Sequence, residues 1–269
     1  MPEYQRDPGT QSLHYLEFGP PEAEPLLLLH GNGADAQLYM PILAALSPYY
    51  RILAPDLPGH GFSLGVRPQS VKAYLALLER FIATHIQGPY KVLGHSLGGL
   101  LSYLLLRRGQ PVTRAVWMEP AIFELRPLLR ASLPIYARLY ALQPHIRVDV
   151  VRHLNSLAWD PRQADPVRVA AFVAAYMRSD RQVQAMWLKH YPQLLPWDFS
   201  DVSLPLLCLR GAKETFISRA TTALVPQLPC GSEAVIPESG HCLLNENNPA
   251  LVAAIQGFLT PERKIAWSK

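Results

Sequence analysis

Cysteine is scarce in this chain: Cys208, Cys230 and Cys242 are the only three, and their spacing fits neither a disulfide framework nor a metal site. An odd, unpatterned set argues against a stapled secreted scaffold and favours a reducing compartment. Long apolar runs are missing as well. The strongest, Leu26 to Leu29, is bounded by Pro25 and by His30-Gly31, far short of the roughly 20 residues a membrane span needs. Met1-Pro2-Glu3-Tyr4-Gln5-Arg6-Asp7 carries acids and no apolar stretch, so no secretory signal is expected. The sequence has no internal repeat, no dense Lys/Arg cluster and no base-stacking module, which argues against nucleic acid as a partner. A cytoplasmic protein with no membrane partner is the expectation from these absences.

What is present points to one large core. At 269 residues and 49% hydrophobic content, the chain suits a single α/β domain carrying an insertion. Its formal charge of +4 is uneven: residues 121–200 hold ten Lys/Arg against six acids, so the rest of the chain is formally neutral. That middle segment is a compositionally distinct unit. Scattered arginines of this kind usually mark a solvated helical face, and attraction of an anionic substrate is the other reading.

Short apolar strands alternate with helical patterns along most of the chain. Ser12 to Phe18 suggests an early antiparallel strand, and Leu26 to Leu29 a strand buried on both faces. Ala34 to Leu46 predicts a helix, Arg51 to Asp56 a strand, and Asp56 to Ser63 a turn-rich loop. Val71, Tyr74, Leu75, Leu78 and Ile82 place a crossover helix within Gln69 to His85. Further strands are expected at Tyr90 to Leu93, Arg114 to Met118, Leu204 to Gly211 and Ser232 to Ile236, with Asn248-Pro249 opening a last helix. From Ala121 prolines recur without a convincing strand, which predicts short helices; Asp165-Pro166 reads as the cap and first turn of one. The alternation predicts a mostly parallel sheet covered on both faces.

One stretch carries chemistry. Gly94-His95-Ser96-Leu97-Gly98-Gly99 follows an apolar strand and opens an apolar helix, the context in which Gly-x-Ser-x-Gly forms a nucleophile elbow. His30-Gly31-Asn32-Gly33 leaves another strand with the freedom to turn sharply and aim an N–H outward. With Ser-Gly-His at 239–241, these motifs make the chain resemble the α/β-hydrolase fold superfamily from about residue 12 to 260. The resemblance implies a doubly wound, mostly parallel sheet made of residues 1–120 and 201–269, with residues 121–200 inserted as a helical cap. It also implies that Ser96 is the nucleophile and His241 the base, with oxyanion-hole donors at the backbone N–H groups of Asn32 and Leu97.

The third member is less ordinary. Gly211-Ala212-Lys213-Glu214 puts a glutamate where the family commonly has Gly-x-x-Asp, which keeps the order serine, acid, histidine. Glu119, at the end of the preceding strand, is the alternative acid. A serine hydroxyl needs a base of pKa near 7, and that base needs a carboxylate to fix its tautomer and stabilise its charge. His30, His60 and His95 are expected to be structural, and Cys242 to be packing. Trp159, Tyr176, Trp187, Tyr191 and Trp197 are candidate pocket residues. The implied function is a serine hydrolase that cleaves a small or medium carboxylic ester, lactone or thioester through an acyl-enzyme. It would act on a small-molecule substrate without metal or organic cofactor. A carbon–carbon hydrolase and a ligand-binding regulator of the same fold are the alternatives; Ser96 argues against dehalogenase and epoxide-hydrolase chemistry, which need an aspartate there.

Overall fold

In the computed structural model, which describes residues 3–8, 11–142, 165–214 and 218–260, the four leucines at 26–29 are all buried. Their side chains alternate between two cores, Leu27 and Leu29 on one face of the sheet and Leu26 and Leu28 on the other. A strand hides both faces only when helices cover both. The strands are β1 (Gln5–Arg6), β2 (His14–Phe18), β3 (Glu24–Leu29), β4 (Tyr50–Pro55), β5 (Tyr90–His95), β6 (Val112–Met118), β7 (Leu206–Gly211) and β8 (Gly231–Ile236). They form one sheet in the order β1-β2-β4-β3-β5-β6-β7-β8, antiparallel at β1/β2 and β2/β4 and parallel elsewhere.

The helices are α1 (Met40–Leu46), α2 (Val71–His85), α3 (Leu97–Arg107), α4 (Pro127–Leu142), α5 (Pro166–Arg178), α6 (Arg181–His190), α7 (Ser218–Leu224) and α8 (Asn248–Leu259). One face is covered by α1 and α8 through Ile42, Leu43, Leu46, Leu251, Ile255 and Leu259. The other is covered by α2 and α3 through Tyr74, Leu78, Phe81, Leu97, Leu101 and Leu105. Between β6 and β7 the described residues hold helices and no strand, as the proline-rich composition predicts. No helix among the described residues is long and apolar enough to cross a membrane.

Local chemistry sets the helix starts. Ser70 caps α2 by accepting from the Ala73 N–H at 3.2 Å, and Asp165 caps α5 by accepting from the Val167 N–H at 2.9 Å. The helix expected from Ala34 to Leu46 is divided. Ala36–Tyr39 is a 3-10 turn capped by Asp35, and α1 starts at Met40 with Pro41 in its first turn, where a missing N–H costs nothing. Asn247, one residue earlier than expected, caps α8, with Asn248 and Pro249 in its first turn. The two-residue, exposed β1 is too short for any periodicity to reveal.

The tightest packing lies where α3 meets the strands. A Cβ on Gly98 would overlap the Leu29 carbonyl oxygen, and one on Gly94 would overlap the Gly98 carbonyl. Gly98→Ala is therefore expected to force α3 away from β3 and destabilise the protein by about 1–3 kcal/mol, the usual cost of overpacking. Gly65→Ala, where a Cβ meets open space, should stay within about 0.5 kcal/mol of the parent. Urea denaturation of the two variants checks the ranking, and equal stabilities would refute the packing account.

Candidate active site

Strand β5 ends at His95, and Ser96 then adopts φ +51° and ψ −111° before α3 begins. A non-glycine residue with that φ is strained, so neighbouring contacts must hold it. The Ser96 N–H donates to the Met118 carbonyl at 2.9 Å, and the Ser96 carbonyl accepts from Gly99, Leu100 and Ala121 at 3.0, 3.2 and 2.9 Å. Leu97 is the first residue of α3, so its N–H is one of the four that a helix leaves without an intrahelical acceptor.

The loop after β3 lies against this elbow. Ala34 donates to the Gly31 carbonyl at 3.1 Å, closing a tight turn around Asn32, with Gly33 at φ +80°. A Cβ on Gly31 would come within 2.8 Å of His95 Nδ1 and 3.3 Å of Ser96 Cβ. Buried His30 donates from Nδ1 to the Gly31 carbonyl at 2.8 Å and accepts the Leu57 N–H at Nε2 at 2.9 Å. Burial first, and His60 next, hold its pKa well below the ordinary imidazole value, which keeps it in that single tautomer. Asp56 holds the adjoining loop by accepting from Ala36 at 2.8 Å and Phe62 at 2.7 Å. Burial pushes its carboxyl up to about 7.

His241 follows β8 and is half-buried. Burial pushes its imidazole down to about 4, so it is neutral at pH 7 and able to accept a proton. Its Nδ1 is buried with no hydrogen-bond partner among the described residues. His95 places it: the Nε2–H of His95 donates to the His241 carbonyl at 2.9 Å, and the two rings lie 5.0 Å apart. His95 itself is held down to about 3, by burial and then by His241, so it is a neutral donor.

Glu214 is buried on the loop after β7. That loop is bound to the histidine loop, since Ala212 donates to the Ile236 carbonyl and Lys213 to the Ser239 carbonyl, each at 2.9 Å. A Cβ on Gly211 would overlap the Ser239 and Gly240 carbonyls. Glu119 is fully buried at φ +42°, and its Oε1 accepts the Gly211 N–H at 2.7 Å. Burial, reinforced by Glu214, pushes its carboxyl up to about 9. Ser96, Glu214, Glu119 and His241 thus all follow the C-terminal ends of strands in one parallel run. Among the described residues no hydrogen bond joins Ser96 to His241, or His241 to either carboxylate.

The aromatic candidates separate by position. Tyr176 of α5 packs onto Gly33 in the loop after β3, and its hydroxyl bonds that of Tyr140 at 2.9 Å. Trp187 meets Tyr74 edge-on at 5.0 Å within the main core. Tyr191 stacks on Phe123 and donates to the Ala121 and Phe123 carbonyls, and Trp197 donates to the Phe123 carbonyl at 3.2 Å. Trp159 lies outside the described residues. A surface cleft of about 940 Å³ between α4, α6 and the 64–69 loop gathers Arg67, Arg138, Arg181 and Lys189, but includes neither Ser96 nor His241. The structural role expected of His95 is the bond that holds the His241 backbone, whereas sequence reasoning missed the role of Gly211, whose only signal was its position three residues before Glu214.

Comparison with known proteins agrees with this fold. The alpha/beta hydrolase family pattern matches residues 26–255. A pimeloyl-[acyl-carrier protein] methyl ester esterase of Edwardsiella ictaluri is 29% identical over 256 residues, covering 87% of this chain and 92% of that protein. A magnesium-chelatase 30 kDa subunit of Rhodobacter capsulatus is 33% identical over 136 residues, and there the chain spans only 46% of its relative. Among solved structures, a hydrolase from Pseudomonas aeruginosa superposes with a TM-score of 0.79 at 20% identity, covering 96% of this chain and 98% of that one. A carboxylesterase from Bacillus subtilis gives 0.73 at 20% identity, over 97% and 92%. With its eight-stranded, mostly parallel sheet and a family match over most of its length, the chain belongs to the alpha/beta hydrolase family.

Proposed function

We propose that the protein is a serine hydrolase that cleaves a carboxylic ester, lactone or thioester of small or medium size through an acyl-enzyme. The observation that carries this reading is the backbone of Ser96, held at φ +51° between β5 and the first N–H group of α3. Such strain persists where the surroundings over-determine it, and it clusters at active sites. The full-length similarity to a methyl ester esterase supports an ester as the substrate class.

In this reading Ser96 Oγ attacks the substrate carbonyl carbon while His241 Nε2 takes the hydroxyl proton. The oxygen of the tetrahedral intermediate accepts hydrogen bonds from the backbone N–H groups of Asn32 and Leu97. His241 passes the proton to the departing alcohol or thiol, and the same steps with water release the acid. Glu214 accepts the Nδ1–H of His241, which fixes the tautomer and stabilises the imidazolium. The same bond raises the basicity of an imidazole that burial alone depresses. Residues 121–200 act as a cap over this site, with Tyr176 bordering the oxyanion loop.

Ser96→Ala is expected to lower turnover by on the order of 10⁶-fold toward p-nitrophenyl esters. A fluorophosphonate should label Ser96 in the native enzyme, and labelling at Cys242 instead would overturn the assignment. Glu214→Gln is expected to lower turnover by at least about 10²-fold in a folded variant, since a lost acid costs about 10⁴-fold in a serine protease. Near-native turnover would remove Glu214 from the triad.

A further inference from the structure

Glu119 has no step in the proposed reaction, yet it is tightly constrained. It is fully buried, sits at φ +42° where an L-residue is strained, and is tied to β7 at two points. Its N–H donates to the Leu209 carbonyl at 2.9 Å, and its Oε1 accepts the Gly211 N–H at 2.7 Å. Gly211 begins the loop that carries Glu214, and it is the point where that loop meets the Ser239 and Gly240 carbonyls beside His241. We propose that Glu119 is a positioning residue, a buried carboxyl that clamps Gly211 and thereby sets the loop presenting Glu214 to His241. This rests on Glu214 being the acid of the triad.

The surroundings fit a clamp better than a second charge. Glu119 Oε2 is buried with no hydrogen-bond partner among the described residues, an arrangement costly for an ionised carboxylate. Burial and the nearby Glu214 raise its pKa to about 9, outweighing the Gly211 N–H, Arg210 and Thr221, which all pull the other way. Arg210 is itself paired with Glu233 at 2.7 Å, which weakens its hold on Glu119. Cys208 of β7, the other titratable group facing Glu119, has its thiol pushed up to about 12, so it stays uncharged. A neutral acid here avoids placing a second negative charge against Glu214. Ionisation of Glu119 would set two carboxylates against each other and spread the loop.

Four measurements test this. Glu119→Ala removes the acceptor for the Gly211 N–H and is expected to lower kcat by about 10- to 100-fold with little change in KM, the scale expected when a reacting group shifts by about an ångström. Glu119→Gln keeps an acceptor in the same place and should restore most of that loss. The parent kcat/KM should fall above pH about 9, where Glu119 ionises, and Glu119→Gln should lack that fall. A carboxyl whose folded pKa is raised loses stabilisation as pH climbs from its ordinary value to the raised one. Thermal unfolding, which needs no substrate, should therefore show the parent losing stability relative to Glu119→Gln between pH 5 and 9. Glu119→Ala with parental kcat would overturn the clamp. So would Glu119→Gln as impaired as Glu119→Ala, an outcome that makes Glu119 the triad acid. If the parent cleaves no ester at all, the hydrolase reading fails, and the unfolding series still decides whether Glu119 is held neutral.

Discussion

The approach of α3 to β3, with Gly98 against the Leu29 carbonyl, is the contact on which the rest of the site depends. It lets the helix begin with Ser96 alone between it and β5, which is what throws Ser96 into its positive-φ conformation. A strained residue of this kind costs about 1–3 kcal/mol, and four backbone hydrogen bonds to Met118, Gly99, Leu100 and Ala121 keep it in place. The same contact brings the loop after β3 beside the elbow, because Leu29 leads directly into His30 and Gly31. Relaxing it by one methyl group would therefore disturb Ser96 and the loop after β3 together.

Around that contact, buried histidines tie loops together. His30 joins the turn at Gly31 to the backbone at Leu57, and His95 joins the elbow to the carbonyl of His241. Each is desolvated, so each stays neutral and offers a fixed choice of donor and acceptor. A lysine or a carboxylate could not replace them without importing a charge. This explains why Gly-x-Ser carries a histidine at its variable position here. The side chain before Ser96 holds the His241 backbone, which leaves the ring of the proposed base free for chemistry.

Much of this was legible in the sequence because each feature has a local cause. Strands such as Leu26 to Leu29 announce themselves by being apolar on both faces, and Asp165 caps its helix through its own side chain. The elbow was legible because close backbone approach demands glycine at 94, 98 and 99. What could not be read depends on direction in space. Trp187 and Tyr176 lie at similar helical spacings, yet one is buried beside Tyr74 and the other rests on the oxyanion loop. Residue type gave no hint of that difference. The two glutamates pose the same problem: Glu119 and Glu214 both follow strands on one edge, and only the bond from Gly211 reveals that the first holds the loop of the second.

The inserted helices touch the core at the loops that would carry the catalytic groups. Ala121 donates to the Ser96 carbonyl, Tyr176 lies on Gly33, and Asp180 donates to the Gly59 carbonyl at 2.7 Å while its carboxylate pairs with Arg67 at 2.6 Å. Gly33 and Gly59 both have positive φ and both lie under a helix side chain, Tyr176 and Val183 respectively. Within the insert, Tyr140, Tyr176, Gln184 and Ser179 form one buried hydrogen-bond chain. A displacement of α5 that moved Tyr176 would thus pull on Gln184 in α6 and press on the oxyanion loop at once. In the proposed cap, substrate fit and oxyanion geometry are mechanically coupled through that tyrosine, so side chains that shape the pocket also tune the rate of the chemical step.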